Sequence, residues 1–192
     1  MATTQPIRSK SDIRELAFYY LKLGQLRNYI LIVFSVYTAL RISDILCLQW
    51  DDVFDFKNQC IRESISIVEG KSRKSKTIAL NSVTIDALNV FATHCAMRGN
   101  YLFENPRTKK AISRIQAYRI IRDAAQALHF QFRVSCHSLR KTFGYHAWKD
   151  GMSPAVIMEI FNHSSFAVTR RYLGVTQDDM NEVYLRIDLF DN

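Results

Sequence analysis

Glycine and proline are scarce, six and three among 192 residues, which excludes collagen-like and low-complexity chains. The cysteines build no framework. Cys47, Cys60, Cys95 and Cys136 contain no Cys-x-x-Cys pair and are too sparse for a disulfide scaffold. They read as reduced thiols of a cytoplasmic protein, and Cys47, inside Ile45-Leu46-Cys47-Leu48, is expected in the core. Long apolar runs are missing too. The longest, Tyr29 to Leu40, is interrupted by Ser35 and Thr38 and falls short of the ~20 residues a membrane span needs. Met1 to Ser11 is polar with no apolar h-region, so no secretory signal is read there. Acidic charge is in deficit: 18 Asp and Glu against 26 Lys and Arg leave a net charge of +8. That imbalance favours a polyanionic partner, nucleic acid being the usual one, although a merely basic soluble protein fits the same numbers.

What is present is a core. Apolar residues make up 48% of the chain, enough to exclude general disorder. At roughly 150 residues per domain the length predicts one domain over residues 1–192, with residues 1–10 as a flexible start. The pattern predicts an α+β chain, mainly helical: a helical bundle with a small antiparallel β-hairpin on one side. Helices are expected over Asp12–Leu23, capped by Ser11 or Asp12, and over Asn28–Leu40. A short one follows from Ser43 to near Trp50. Ile61, Ile65, Ile67 and Val68, then Thr77, Ile78 and Leu80, flank a polar turn from Gly70 to Ser75, a hairpin signal. Helices resume over Asn81–Arg98, stopped by Gly99, over Ile112–Leu128, and over His137–Lys149 up to Gly151. Ser153 followed by Pro154 is a cap with proline in the first turn, starting a helix that runs to Phe161. Ser164 or Ser165 starts the next, and Asp178 or Asp179 the last.

Four stretches could carry chemistry. Arg41 stands beside the apolar helix, with Asp44 three residues on and able to brace the guanidinium; a structural ion pair is the plainer reading. The turn Glu69-Gly70-Lys71-Ser72-Arg73-Lys74-Ser75-Lys76 carries basic side chains that could follow a phosphate backbone or simply be solvated. His137 and Arg140 fall at i and i+3 on one helix face. Two cations side by side are unfavourable except around an anion, yet an ordinary surface pair also fits. His163 and Tyr172 are nine residues apart, two and a half helical turns, so they share a site only if Ser164 and Ser165 break the helix between them. His94, His129 and His146 have no metal-ligand spacing, and no Gly-rich phosphate loop or Gly-x-Ser-x-Gly elbow occurs.

In order and spacing these stretches resemble the catalytic domain of the tyrosine recombinases, the phage-integrase family. The likeness rests on Arg41 in Ala39-Leu40-Arg41-Ile42-Ser43-Asp44, on Lys71 after Gly70, on His137-x-x-Arg140, and on His163 with Tyr172 nine residues later. It runs from about Arg14 to Tyr184. Phe161-Asn162 stands where the family usually has Leu-Gly. The family's usual N-terminal core-binding domain has no counterpart among the 40 residues before Arg41, which implies a fragment or a short form.

The resemblance implies site-specific recombination, with DNA strands cut and rejoined through a 3′-phosphotyrosine on Tyr172. Arg41 and Arg140 would clamp the phosphate, and His163 would donate a hydrogen bond to it. His137 would handle the tyrosine proton, and Lys71 would protonate the leaving oxygen, a role for which Lys74 and Lys76 compete. Asp44 would support the site from behind, while Arg73, Lys74, Lys76 and Lys141 would touch DNA. No cofactor and no metal is implied. The partner is double-stranded DNA, with a tetramer on DNA and a monomer when free, and no membrane. Residues 174–192 would form a tail helix, striped with Met180, Val183, Tyr184 and Ile187, that either docks on a neighbouring subunit or packs on its own core. The alternatives are a type IB topoisomerase-like activity and a DNA-binding regulator with a dormant site.

Overall fold

The computed structural model describes residues 4–94, 97 and 101–188. The expected stop at Gly99, the end of the helix before it, Cys95 and the last four residues lie outside the described residues.

Helix α1 (Lys10–Lys22) starts two residues earlier than expected, because the Ser9 hydroxyl, not Ser11 or Asp12, accepts the Asp12 amide. Helix α2 (Leu26–Thr38) is the central element. It is buried along most of its length and packs against α1, α5 (Ser82–His94) and α7 (Cys136–Lys149). It stops at Thr38, short of the expected Leu40, because Ala39 turns into the left-handed region at φ 56°. That turn lets Arg41 leave the helix line.

The expected helix from Ser43 to Trp50 is instead two short ones, α3 (Ile42–Ile45) and α4 (Trp50–Val53). The break has two causes. The Leu48 carbonyl accepts the Leu102 amide, at 2.9 Å, and Gln49 with Asp52 forms a capping box that restarts the helix. Cys47 is exposed, contrary to expectation. Ile45, Leu46 and Leu48 take the inward positions of this turn and leave the thiol outside.

Two antiparallel hairpins stand on one side. The sequence pattern missed the first, β1 (Phe54–Asp55) with β2 (Cys60–Ile61), since two-residue strands carry no alternation to read. It takes Ile61 away from the larger hairpin, where the pattern had placed it. That hairpin joins β3 (Ser64–Val68) to β4 (Ser75–Ala79), with Ile65 opposite Ile78 and Ile67 opposite Lys76.

Helix α6 (Arg114–Ala127) begins at a Ser113–Gln116 capping box, and α7 at a Ser135–Ser138 box. Helix α8 (Pro154–Phe161) has Ser153 and Pro154 where expected. Helices α9 (Phe166–Leu173) and α10 (Gln177–Arg186) complete the order. The main core is built on α2. A separate small cluster of Ala39, Ile157, Phe161 and Leu173 joins α8 and α9 to the end of α2. Gly144 allows this join: a Cβ there would meet the Phe161 ring at 2.6 Å.

The N-terminal residues are strapped across α7. The Ile7 amide donates to the Thr142 hydroxyl, and His146 Nε2 donates to the Ile7 carbonyl. Arg8 donates to the carbonyl of Gly174, the residue that ends α9. No helix among the described residues is long and apolar enough to cross a membrane.

Candidate active site

The break required between His163 and Tyr172 is present. Helix α8 ends at Asn162, whose φ of 51° is left-handed, and α9 begins after Ser165. Asparagine is one of the few side-chain-bearing residues that adopts that conformation, where glycine is usual in the family. Its side chain adds something glycine cannot, a donated bond to Glu69 Oε2 at 2.9 Å.

The linker folds His163 back onto α9. The Tyr172 ring lies 4.4 Å from the His163 ring and 4.8 Å from the His137 ring, centroid to centroid. Phe161 forms the wall behind, 5.1 Å from His163 and 5.3 Å from Tyr172, with the Arg140 guanidinium over it at 4.8 Å. His163 Nδ1 is 3.0 Å from Thr169 Oγ1.

Arg140 is 2% exposed, an expensive place for a charge unless its donors are used. Two of them are: Nη1 donates to the Ala39 carbonyl and Nη2 to the Phe161 carbonyl. A guanidinium has five N–H groups, so three remain, and Nε has no partner among the described residues. Burial, and next the Arg41 charge, push Arg140 down to about 10, still cationic at neutral pH.

Arg41 pairs with Glu69, not with Asp44. Its Nη1 is 3.0 Å from Glu69 Oε1, whereas Asp44 Oδ1 accepts the Gly70 amide at 3.1 Å. As first residue before α3, Arg41 points toward the hairpin, and Asp44 fixes the start of the turn instead. Glu69 was not foreseen. Burial alone would raise its pKa, but bonds from Asn162 and Ser72 and the Arg41 charge outweigh that and hold it at about 2. It is 1% exposed and ties Arg41, the hairpin and the end of α8 together.

The three candidate lysines of the hairpin are placed differently. Lys76 donates to the Ile160 carbonyl, and burial lowers its pKa. Lys71, Lys74 and Arg73 lie on the exposed turn. Lys141, expected on the DNA surface, is 5% exposed. Its ammonium donates to the Thr4 carbonyl and stands 5.5 Å from the Tyr172 ring. Burial of the imidazole and the charges of Lys141, Arg140 and Arg41 push His137 down to about 4, although the residue keeps an open side to solvent. Burial, then Arg140 and Arg41, push His163 to about 4 as well. Both rings are neutral at pH 7, beside two cations and a phenol.

A buried Arg140, a partly exposed Arg41, two neutral imidazoles and a half-exposed tyrosine on a helical fold with one basic hairpin define the catalytic domain of a tyrosine recombinase. The comparisons agree. Residues 10–178 match the phage integrase family, and the chain belongs to that family. It is 39% identical over 184 residues to the probable integrase/recombinase YoeC of Bacillus subtilis, covering 96% of this chain and 97% of that protein. It is 28% identical over 169 residues to the tyrosine recombinase XerD of Mycobacterium leprae, covering 83% of this chain but 51% of XerD. The fold matches the crystal structure of XerA recombinase with a TM-score of 0.79 at 23% identity, over 97% of this chain and 68% of that one. It also matches XerH bound to a palindromic difH substrate in a post-cleavage complex, with a TM-score of 0.76 at 20% identity, over 97% of this chain and 54% of that one.

Proposed function

We propose that this chain cuts and rejoins double-stranded DNA at defined sites through a covalent bond between Tyr172 and a 3′ phosphate. The carrying observation is the Tyr172 ring set between the His163 and His137 rings, at 4.4 and 4.8 Å, with Arg140 on the same phenylalanine wall. XerH, with the same fold, is described bound to its DNA substrate after cleavage, which supports DNA as the partner.

The Tyr172 oxygen attacks phosphorus, its proton passes to neutral His137, and the bond from phosphorus to the 5′ oxygen breaks. The departing 5′ oxygen takes a proton from Lys71, whose exposed place on the turn leaves it free to reach the scissile strand, while Lys76 stays tied to α8. Arg41, the spare donors of Arg140 and an N–H of His163 stabilise charge on the non-bridging oxygens. A phenol ordinarily ionises near 10, so the surrounding cations are needed for it to attack at neutral pH. A 5′ hydroxyl of a second strand then attacks the phosphotyrosine, and Tyr172 recovers its proton. Tyr172 lies with its own chain's histidines, which favours cleavage within one subunit.

Residues 1–192 act as one catalytic domain in this reading, a monomer when free that assembles as a tetramer on DNA. Helix α10 supports subunit coupling. It is held by Lys149 through Asp179 and Glu182, while Val183, Tyr184 and Ile187 are exposed. Its apolar stripe is thus not packed on the chain's own core. Deleting residues 176–192 should slow strand exchange more than strand cleavage; equal rates would contradict the coupling.

A pool of nicked duplexes with a randomised target region tests the chemistry. The wild-type chain should form a protein–DNA adduct that survives denaturation, and Tyr172→Phe should not. An adduct on Tyr172→Phe, or none on the wild type, overturns the assignment. Mixing Tyr172→Phe with Arg41→Ala should restore no cleavage if the site is complete within one chain.

A further inference from the structure

We propose that Thr169 is a positioning residue that fixes the tautomer of His163, leaving the proton on Nε2. This rests on the reading of His163 as a donor to the phosphate. Thr169 is fully enclosed, and its hydroxyl has a single hydrogen-bond partner among the described residues, His163 Nδ1 at 3.0 Å.

Two arrangements are possible for that bond. If Nδ1 carried the proton, the ring would donate to the threonine oxygen. The hydroxyl proton would then have no acceptor inside the fold, at a cost of ~1–3 kcal/mol. If Nδ1 is bare, the hydroxyl donates to it and both groups are satisfied. The ring is neutral at pH 7, so its one proton then sits on Nε2. An N–H is what a phosphate oxygen can accept from; a bare nitrogen would repel it.

The placement adds a second effect. Thr169 lies on α9, three residues before Tyr172, whereas His163 belongs to the linker after α8. The bond therefore ties the orientation of the histidine to the helix that carries the nucleophile. Movement of α9 away from α7 withdraws Tyr172 and releases the lock on His163 together. Nothing in the 3.6-residue pattern discloses this, because the partner of Thr169 lies six residues back across a helix break.

The full chain with 15N-labelled histidine decides the tautomer without DNA. At pH 7 the His163 ring of the wild type should show a protonated Nε2 and a bare Nδ1. Thr169→Ser should keep that pattern. Thr169→Val, similar in shape but lacking the hydroxyl, should shift the ring toward a mixture of tautomers. It should also slow adduct formation on the nicked duplexes roughly 10-fold, as loss of an orienting partner does at other sites, with DNA affinity unchanged. Thr169→Ser should restore the rate. A proton on Nδ1 in the wild type overturns the proposal, as does Thr169→Val with an unaltered ring spectrum and rate. The wild-type spectrum suffices if the valine variant fails to fold. Normal adduct formation by His163→Ala would instead overturn the role of His163 itself.

Discussion

Arg140 donates to carbonyls at the ends of α2 and α8, and on the proposed reading its remaining donors would serve the phosphate. Arg140→Ala should therefore slow cleavage by roughly two to three orders of magnitude, as loss of an oxyanion donor does, and should also lower the melting temperature. Unchanged cleavage in that variant would remove Arg140 from the clamp. The imidazoles give a pH prediction. His163 and His137 ionise near 4 in the folded chain against an ordinary 6.5, so between these values the unfolded chain binds more protons. Stability is intact above about 6.5 and declines as pH falls toward 4. Glu69 acts in the same direction at lower pH: its contribution is intact above 4.5 and is lost as pH falls through about 2. Melting followed by circular dichroism from pH 7 to 3 should show this continuous decline; a flat curve from 6.5 to 4 would contradict the lowered imidazoles. At this scale the sequence showed which residue types gather but not which pairs form. Arg41 finds Glu69, 28 positions away, in place of Asp44 one turn away, because the left-handed Ala39 aims it at the hairpin. Asn162, which looked like a departure from the family pattern, is one of the groups holding Glu69.

The element most exposed to small changes is the join of α7 and α8. Gly144→Ala would drive a methyl into the Phe161 ring, a fixed part of the wall behind Arg140, His163 and Tyr172. Overpacking of this kind costs ~1–3 kcal/mol. It should lower both stability and the cleavage rate, and a variant with wild-type values of both would show that the ring has room to move. The strap ahead of α1 is a second such element. Ile7 is fully buried, so Ile7→Ala should cost on the order of 2–5 kcal/mol in chemical denaturation. A cost below that range would mean the strap peels off easily. A helix was readable where a cap met an apolar period at Ser153-Pro154, but not from Ser43, where the expected helix is broken in two. The strap was not: Pro6 and Ile7 have no period, and their burial depends on α7, whose Thr142 and His146 are more than 130 residues away.

For the whole molecule the net charge of +8 predicts that DNA affinity falls steeply with salt, as it must when phosphates are the main contacts; a flat salt response would contradict backbone binding. The mainly helical class was legible because periodicity is local, while the division into a main core and a smaller cluster around Phe161 was not, since packing across the α2 terminus leaves no trace in spacing. Two bodies of packed side chains joined at one seam do not open together. Amide exchange should be faster in α8 and α9 than in α2, whose residues lie in the larger cluster. Among the groups that bridge the seam is the guanidinium between the carbonyls of Ala39 and Phe161. On the proposed reading, a side chain that would grip the substrate also fastens α8 to the frame of the protein, so natural variants that abandon the reaction would not be free to discard it without first finding another fastener.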